Sequence, residues 1–345
     1  MALKTKNAER RVITTSSLKE KKEPEKGVNP LRPQSFGSYI GQTKVKEQVS
    51  VSVRSAIKRG KPASHMLFYG PPGLGKTTMA YIVANEEGVP IKEVAGPSIE
   101  KPGDVAAILM SLHSGQVLFI DEIHRMPPMC EEVLYSAMED NFLNITVGAG
   151  EQQRTVHVNL PGFTLIGATT RAGMLSAPLR DRFSLKCRLE YYTTEELSEI
   201  ALRSAEKMEL ILSEKDAEMI AGASRGTPRI ANSLVERVRD YATVKSDGKV
   251  QKDTVRNALS LAGINPSGLT ETDIRILQKL QDSTRPVGLQ TLADITGEDP
   301  ETIECMNEPF LIQKGYIEKT PRGRMISWEG TQVLLETGSA DSTDT

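Results

Sequence analysis

The stretch Gly70-Pro71-Pro72-Gly73-Leu74-Gly75-Lys76-Thr77-Thr78 constrains this chain more than any other. It fits G-x-x-x-x-G-K-[ST], the phosphate-binding P-loop. The motif works only between a strand and a helix, and both flanks comply. Met66-Leu67-Phe68-Tyr69 is a short apolar run that reads as a buried strand, and Thr78 to Glu86 reads as a helix. Glycines let backbone N–H groups turn inward around a polyphosphate, and the helix N-terminus adds partial positive charge beneath it. Gly70, Gly73, Gly75, Lys76, Thr77 and Thr78 are therefore candidate nucleotide contacts, with the Thr77 hydroxyl a candidate Mg²⁺ ligand.

A second signature follows about 45 residues on, by direct reading of the sequence. Val117-Leu118-Phe119-Ile120 is wholly apolar and ends in Asp121-Glu122. A parallel strand buried on both faces delivers carboxylates at its C-terminal edge, where nucleotides bind in open α/β sheets. Asp121 is placed for the metal shell and Glu122 for activating the attacking water. A third core strand, Phe163 to Thr170, ends in two hydroxyls, and a last strand is expected over Cys187 to Tyr191.

The remainder reads as four units around this one. Residues 1–27 hold eight Lys/Arg and four Glu with no apolar periodicity, the pattern of a disordered tail. Phe142 to Leu160 alternates apolar and polar around Gly148-Ala149-Gly150, a β-hairpin whose length suits a projecting arm. Thr193-Thr194-Glu195-Glu196 is a capping box, and residues 194–262 carry four helical patterns. Arg229 falls in the first turn of the third helix, where the dipole disfavours a cation, so an anionic ligand is expected there. Helices over Thr272–Gln281, Leu289–Ile295 and Glu301–Gln313 precede a two-stranded ribbon with Lys319, Arg322 and Arg324 around its tip, a winged-helix pattern. The expected domains are thus 28–192 (α/β parallel sheet), 193–264 (helical lid) and 265–332 (winged helix), with a polar tail over 333–345.

A net charge of −2 excludes a global pull on nucleic acid, so DNA contact must come from a local basic patch. Three scattered cysteines without a C-x-x-C pair suit a reducing cytoplasm. No apolar run approaches the ~18 residues of a membrane span, and the N-terminus lacks an apolar signal core.

Together these segments resemble the AAA+ ATPases and, more narrowly, the RuvB family of bacterial Holliday-junction branch-migration motors. The likeness covers roughly residues 30–328. It is carried by the P-loop, Leu118-Phe119-Ile120-Asp121-Glu122-Ile123-His124-Arg125, Gly167-Ala168-Thr169-Thr170-Arg171 and Leu179-Arg180-Asp181-Arg182-Phe183. Arg225-Gly226-Thr227-Pro228-Arg229-Ile230-Ala231-Asn232 and Thr320-Pro321-Arg322-Gly323-Arg324 complete it. The resemblance implies ATP with Mg²⁺, Thr170 as the first sensor of the γ-phosphate and Arg229 as the second. It implies Leu31 and Arg32 at the adenine, and Glu139, Asp140, Asn141 and Tyr192 bordering the nucleotide. Arg182 matches an arginine finger supplied to a neighbouring subunit of a hexameric ring. The hairpin, with Val156 and Val158, matches the arm that docks on RuvA. Duplex or junction DNA, RuvC and a DNA-damage (SOS) setting are the other implied connections. Lys319 stands where the family usually has arginine, and Pro300 near a usual basic residue, which weakens the expectation of DNA contact there.

Two other functions share these motifs. A clamp-loader subunit would need a collar of helices in place of the winged helix. A non-hydrolysing nucleotide switch would need neither Glu122 nor Arg182.

Overall fold

The computed structural model describes residues 30–147 and 154–340. The expected tail at 1–27 and the glycine-containing tip of the hairpin lie outside those residues. Nine strands occur among them. The first seven are β1 (Met66–Tyr69), β2 (Ile91–Ala95), β3 (Val117–Asp121), β4 (Phe142–Val147), β5 (Arg154–Asn159), β6 (Thr164–Thr169) and β7 (Leu185–Arg188), and the last two are β8 (Ile317–Thr320) and β9 (Gly323–Ile326).

Five strands form one parallel sheet in the order β2-β3-β6-β1-β7. Their apolar runs are needed on both faces, because successive side chains point to opposite sides. Met66, Phe68, Val117, Phe119, Ile166 and Ala168 enter one core with the helices Thr43–Arg59 and Lys76–Glu87. Leu67, Leu118, Ile120 and Leu165 enter the other, against the helices Pro102–Met110 and Pro128–Asp140. The carboxyl ends of β1, β3 and β6 therefore meet along one edge, at the crevice that open α/β sheets use for ligands.

Four helices, Thr194–Lys207, Glu214–Ala223, Pro228–Lys245 and Thr254–Leu261, form a second core. The first opens with the expected capping box: Thr193 accepts from the Glu196 N–H, and Glu196 accepts in return from the Thr193 N–H. The third core joins the helices Glu271–Gln281 and Leu289–Thr296 to the β8–β9 ribbon.

Three elements differ from expectation. The last sheet strand is Leu185–Arg188, earlier than Cys187–Tyr191. Leu189 makes a final bond to the Tyr69 carbonyl, and by Tyr192 the backbone N–H already donates to Gly226 in the helical lid. The helix expected over Glu301–Gln313 is broken into Pro300–Thr302, a π-turn at Ile303–Asn307 and Glu308–Gln313. Pro309 has no N–H to donate to the carbonyl four residues back, so the helix widens there. Residues expected as tail after 332 continue the helix Trp328–Ala340, which buries Val333 and Leu334 in the third core.

Candidate functional site

At the end of β1 the chain turns through Gly70, Gly73 and Gly75, all at positive φ. At Gly75, φ is 96° and a Cβ would meet the Tyr39 hydroxyl at 2.7 Å, so a side chain is excluded twice. The turn delivers Lys76 at the start of the helix Lys76–Glu87, with only 7% of the residue exposed. Its ammonium donates to the carbonyls of Gly70 and Pro71, both at 2.8 Å. Burial pushes the Lys76 pKa down, and the carboxylates of Glu122 and Asp121 push it back. Lys76, Thr77 and Thr78 line a cleft of about 370 Å³.

Asp121 and Glu122 form the facing wall. Asp121 Oδ1 accepts the Glu122 N–H at 3.0 Å, and burial raises its carboxyl pKa. Glu122 sits at φ 49°, a left-handed conformation that costs a non-glycine residue of order 1–3 kcal/mol. That turn points its carboxylate at the end of β6, where Thr170 Oγ1 donates to Oε2 at 3.4 Å. His124 Nδ1 lies 3.3 Å from the same oxygen and 2.9 Å from Thr169 Oγ1.

The lid closes the third side. Arg229 occupies the first turn of the helix Pro228–Lys245, and its N–H donates to the Gly73 carbonyl at 3.4 Å. Leu31, Arg32, Tyr39 and Tyr192 line the far end of the cleft. Tyr192 Oη donates to Tyr39 Oη at 2.9 Å, and both hydroxyls reach the Leu74 carbonyl at 3.3 Å. Sequence reasoning missed Tyr39, Ile200, Arg203, Ser204 and Asn232 as lining residues. The available signal was spacing: Ile200, Arg203 and Ser204 share one helix face, and Asn232 lies one turn beyond Arg229.

Five expected nucleotide neighbours do not line this cleft. Glu139, Asp140 and Asn141 end the helix Pro128–Asp140, away from the cleft. Arg182 ends the helix Ala177–Arg182, pairs with Glu139 Oε2 at 3.1 Å, donates to the Pro178 carbonyl at 2.9 Å and stacks over Tyr135. Its Nε is buried without a hydrogen-bond partner among the described residues. Gly70 carries Lys76 from behind and faces an adjoining cleft instead. Within one chain, then, these residues stand outside the lining of the cleft.

The wing also needs correction. Arg324 was expected to meet DNA, but it is 7% exposed and paired with the buried carboxylate of Glu308. Lys319 Nζ is held 3.3 Å from both Glu304 and Glu308. Glu308 needs these cations because an unpaired buried carboxylate is costly. Of the three, only Arg322, exposed at the turn, has no ion pair among the described residues. In the hairpin, Val158 pairs with buried Leu143 and packs on the sheet core that holds Leu118 and Leu165, whereas Val156 is 42% exposed. Val158 therefore belongs to the base of the arm and not to an exposed surface.

Comparisons with known proteins agree with this architecture throughout. Residues 31–189 match the family model described as the Holliday junction DNA helicase RuvB P-loop domain. Residues 192–265 match the RuvB AAA lid domain, and residues 266–335 the RuvB C-terminal winged helix domain. The chain is 52% identical over 319 residues to the Holliday junction branch migration complex subunit RuvB of Lactococcus lactis subsp. lactis, covering 92% of this chain and 96% of that one. The subunit of the same name from Enterococcus faecalis is 51% identical over 319 residues, covering 92% and 94%. Among solved structures, the Thermotoga maritima RuvB Holliday junction branch migration motor superposes with a TM-score of 0.77 at 43% identity, covering 89% of this chain and 98% of that one.

Two outcomes follow from the geometry. Lys76→Ala removes the only ammonium on the cleft floor, and calorimetry should find ATP affinity reduced at least about 100-fold, the scale of a lost charge-assisted contact of ~3 kcal/mol. Arg324→Met leaves Glu308 with Lys319 alone, so urea unfolding followed at Trp328 should find the winged helix less stable by about 3 kcal/mol. Arg324→Met with Glu308→Met should recover most of that loss.

Proposed function

The chain belongs to the RuvB family of AAA+ ATPases, and from that premise we propose that it is an ATP-driven motor that moves Holliday junctions during recombination and repair. The observation that carries this reading is convergence. The P-loop, the β3 carboxylates, Thr170 and the lid's Arg229 line one cleft although they come from four separate segments.

In this reading Lys76 and the P-loop amides hold the β- and γ-phosphates, and Leu31, Arg32 and Tyr192 hold the base end. Thr77 and Asp121 suit Mg²⁺: among the described residues no cluster of three or more His, Cys, Asp or Glu offers a dedicated cage, and Mg²⁺ at phosphates uses one or two protein oxygens and keeps its waters. When bound, the ion neutralises phosphate charge. Glu122, aimed by Thr170, orients a water and accepts its proton. The water oxygen bonds to the γ-phosphorus as the bridging P–O bond breaks, releasing ADP and phosphate. Arg229 senses the γ-phosphate from the lid and Thr170 from the sheet.

Arg182 serves the neighbouring subunit's pocket, with Glu139, Asp140 and Asn141 beside it at the same edge. The support is that Arg182, which matches an arginine finger by resemblance, does not line the cleft of its own chain. A hexameric ring satisfies every finger at once. The head then grips duplex DNA through the phosphate backbone, at Arg322 with a lesser part for Lys319, as a motor indifferent to sequence requires. RuvA docks on the hairpin at 142–160 through Val156, and RuvC shares the junction. The setting is cytoplasmic and linked to DNA damage; no described helix is long and apolar enough to cross a membrane. The winged-helix match speaks against a clamp loader, and the Glu122–Thr170 contact against a pure switch.

Mixing decides the finger. Arg182→Ala alone should lose turnover by on the order of 10³-fold while still binding ATP. Lys76→Ala alone should also be inactive. A mixture should regain activity, because intact P-loops then face intact fingers; no recovery refutes a finger in trans. For the arm, Val156→Glu should abolish sedimentation with RuvA while leaving the thermal midpoint within about 2 °C of wild type, since an exposed change costs little. Retained RuvA binding removes Val156 from that surface.

A further inference from the structure

The turn that presents Arg229 is tied to the winged-helix head by its own preceding residue. Arg225 and Gly226 both lie at positive φ, 52° and 73°, and swing the chain from the helix Glu214–Ala223 into the helix Pro228–Lys245. The Arg225 side chain leaves the lid altogether. Its Nη2 pairs with Asp273 in the head, and its Nε donates to the Gly268 carbonyl at 2.9 Å. Its guanidinium lies 4.6 Å over the Phe310 ring. Asp273 is fully buried and otherwise satisfied, accepting from Asn307 Nδ2 at 2.6 Å and from Thr270 N and Oγ1 at 2.8 and 2.7 Å.

On its other side the same turn touches the phosphate cradle. Gly226 accepts the Tyr192 N–H at 3.0 Å, and Arg229 donates to the P-loop carbonyl of Gly73 at 3.4 Å. A Cβ at Gly73 would meet the Arg229 Cβ at 3.2 Å, so the two backbones are already close. Three residues of lid, Gly226, Thr227 and Pro228, therefore separate the Arg229 contact to the P-loop from the Arg225 ion pair with the head.

A buried ion pair of this kind adds little net stability, since desolvation offsets attraction. Fully hydrogen-bonded, it does fix one arrangement of the parts it joins. The planar fork matters: Nε, Nη2 and the stacked face are all in use, which lysine cannot reproduce. A flexible tether between lid and head would require none of this.

We propose that Arg225 is a positioning residue whose pairing with Asp273 makes the head and the Arg229 turn one mechanical body. Filling the nucleotide pocket and loading the head with duplex DNA then change each other's affinity by the same factor. This rests on the ATP reading given above. Arg225 does not line the nucleotide cleft; it acts through the placement of Arg229.

The test uses the full chain with a fluorescent methylanthraniloyl ATP analogue. Trp328, the only tryptophan in the sequence, sits on the head and acts as energy donor to the bound analogue. The variants are Arg225→Met, Arg225→Lys, and Arg225→Met with Asp273→Asn; the last removes both buried charges while its amide oxygen still accepts from Thr270. Wild type should bind the analogue with a single transfer efficiency and an affinity that duplex DNA shifts. Arg225→Met and the double variant should bind it about 10-fold more weakly, lose the shift by DNA and show altered transfer, with KM raised more than kcat is lowered. Arg225→Lys should fall between. A double variant that melts like wild type and matches its affinity, DNA shift and transfer overturns the proposal, because the pair is then only structural. Failure of wild type to bind the analogue overturns the ATP reading and the proposal with it.

Discussion

The buried ammonium of Lys76 is the interaction on which the other features depend. A lysine on a cleft floor loses hydration and is held there by two backbone carbonyls, which only a glycine-rich turn can aim inward. That turn excludes side chains, so Tyr39 closes against Gly75 and then needs a partner, which Tyr192 supplies from the link between sheet and lid. The same desolvation that lowers the lysine's pKa makes it a strong site for anionic oxygens. The carboxylates of Asp121 and Glu122 partly balance it, and a polyphosphate would complete the balance.

Four arginines show how one residue type takes its meaning from its surroundings. Arg229 faces the cleft at the end of a helix that disfavours it. Arg182 is held away from the cleft by Glu139 and Tyr135, with one donor unspent. Arg225 joins two domains through Nε and Nη2, and Arg324 neutralises Glu308. Of these four, Arg229 alone lines the cleft of its own chain.

The sheet was legible because burial on both faces forces continuous apolar runs, and the P-loop and Asp121-Glu122 were legible because their spacing has few other uses. The lid was readable from Thr193 and its capping box. The wing was not. Lys319 and Arg324 read as a basic tip because Glu304 and Glu308, which neutralise them, come from a segment 11 to 16 residues earlier in the chain. Nor could alternation separate Val158 from Val156, since both share a face and only the packed base of the hairpin distinguishes them. The π-turn had a local cause in Pro309, but its position depends on how Asn307 reaches Asp273. Tyr39 and Arg203 were missed because no motif marks a residue that closes a pocket from a distant segment.

The claim that unifies these features is that ATP turnover in this cleft moves branched DNA. The most direct measurement is to incubate a synthetic four-way junction with the chain, RuvA, Mg²⁺ and ATP, and to resolve the products on a native gel. The account predicts conversion of the junction into two duplexes that requires ATP and is lost in Glu122→Gln. Conversion without ATP, or at the wild-type rate in Glu122→Gln, would contradict it.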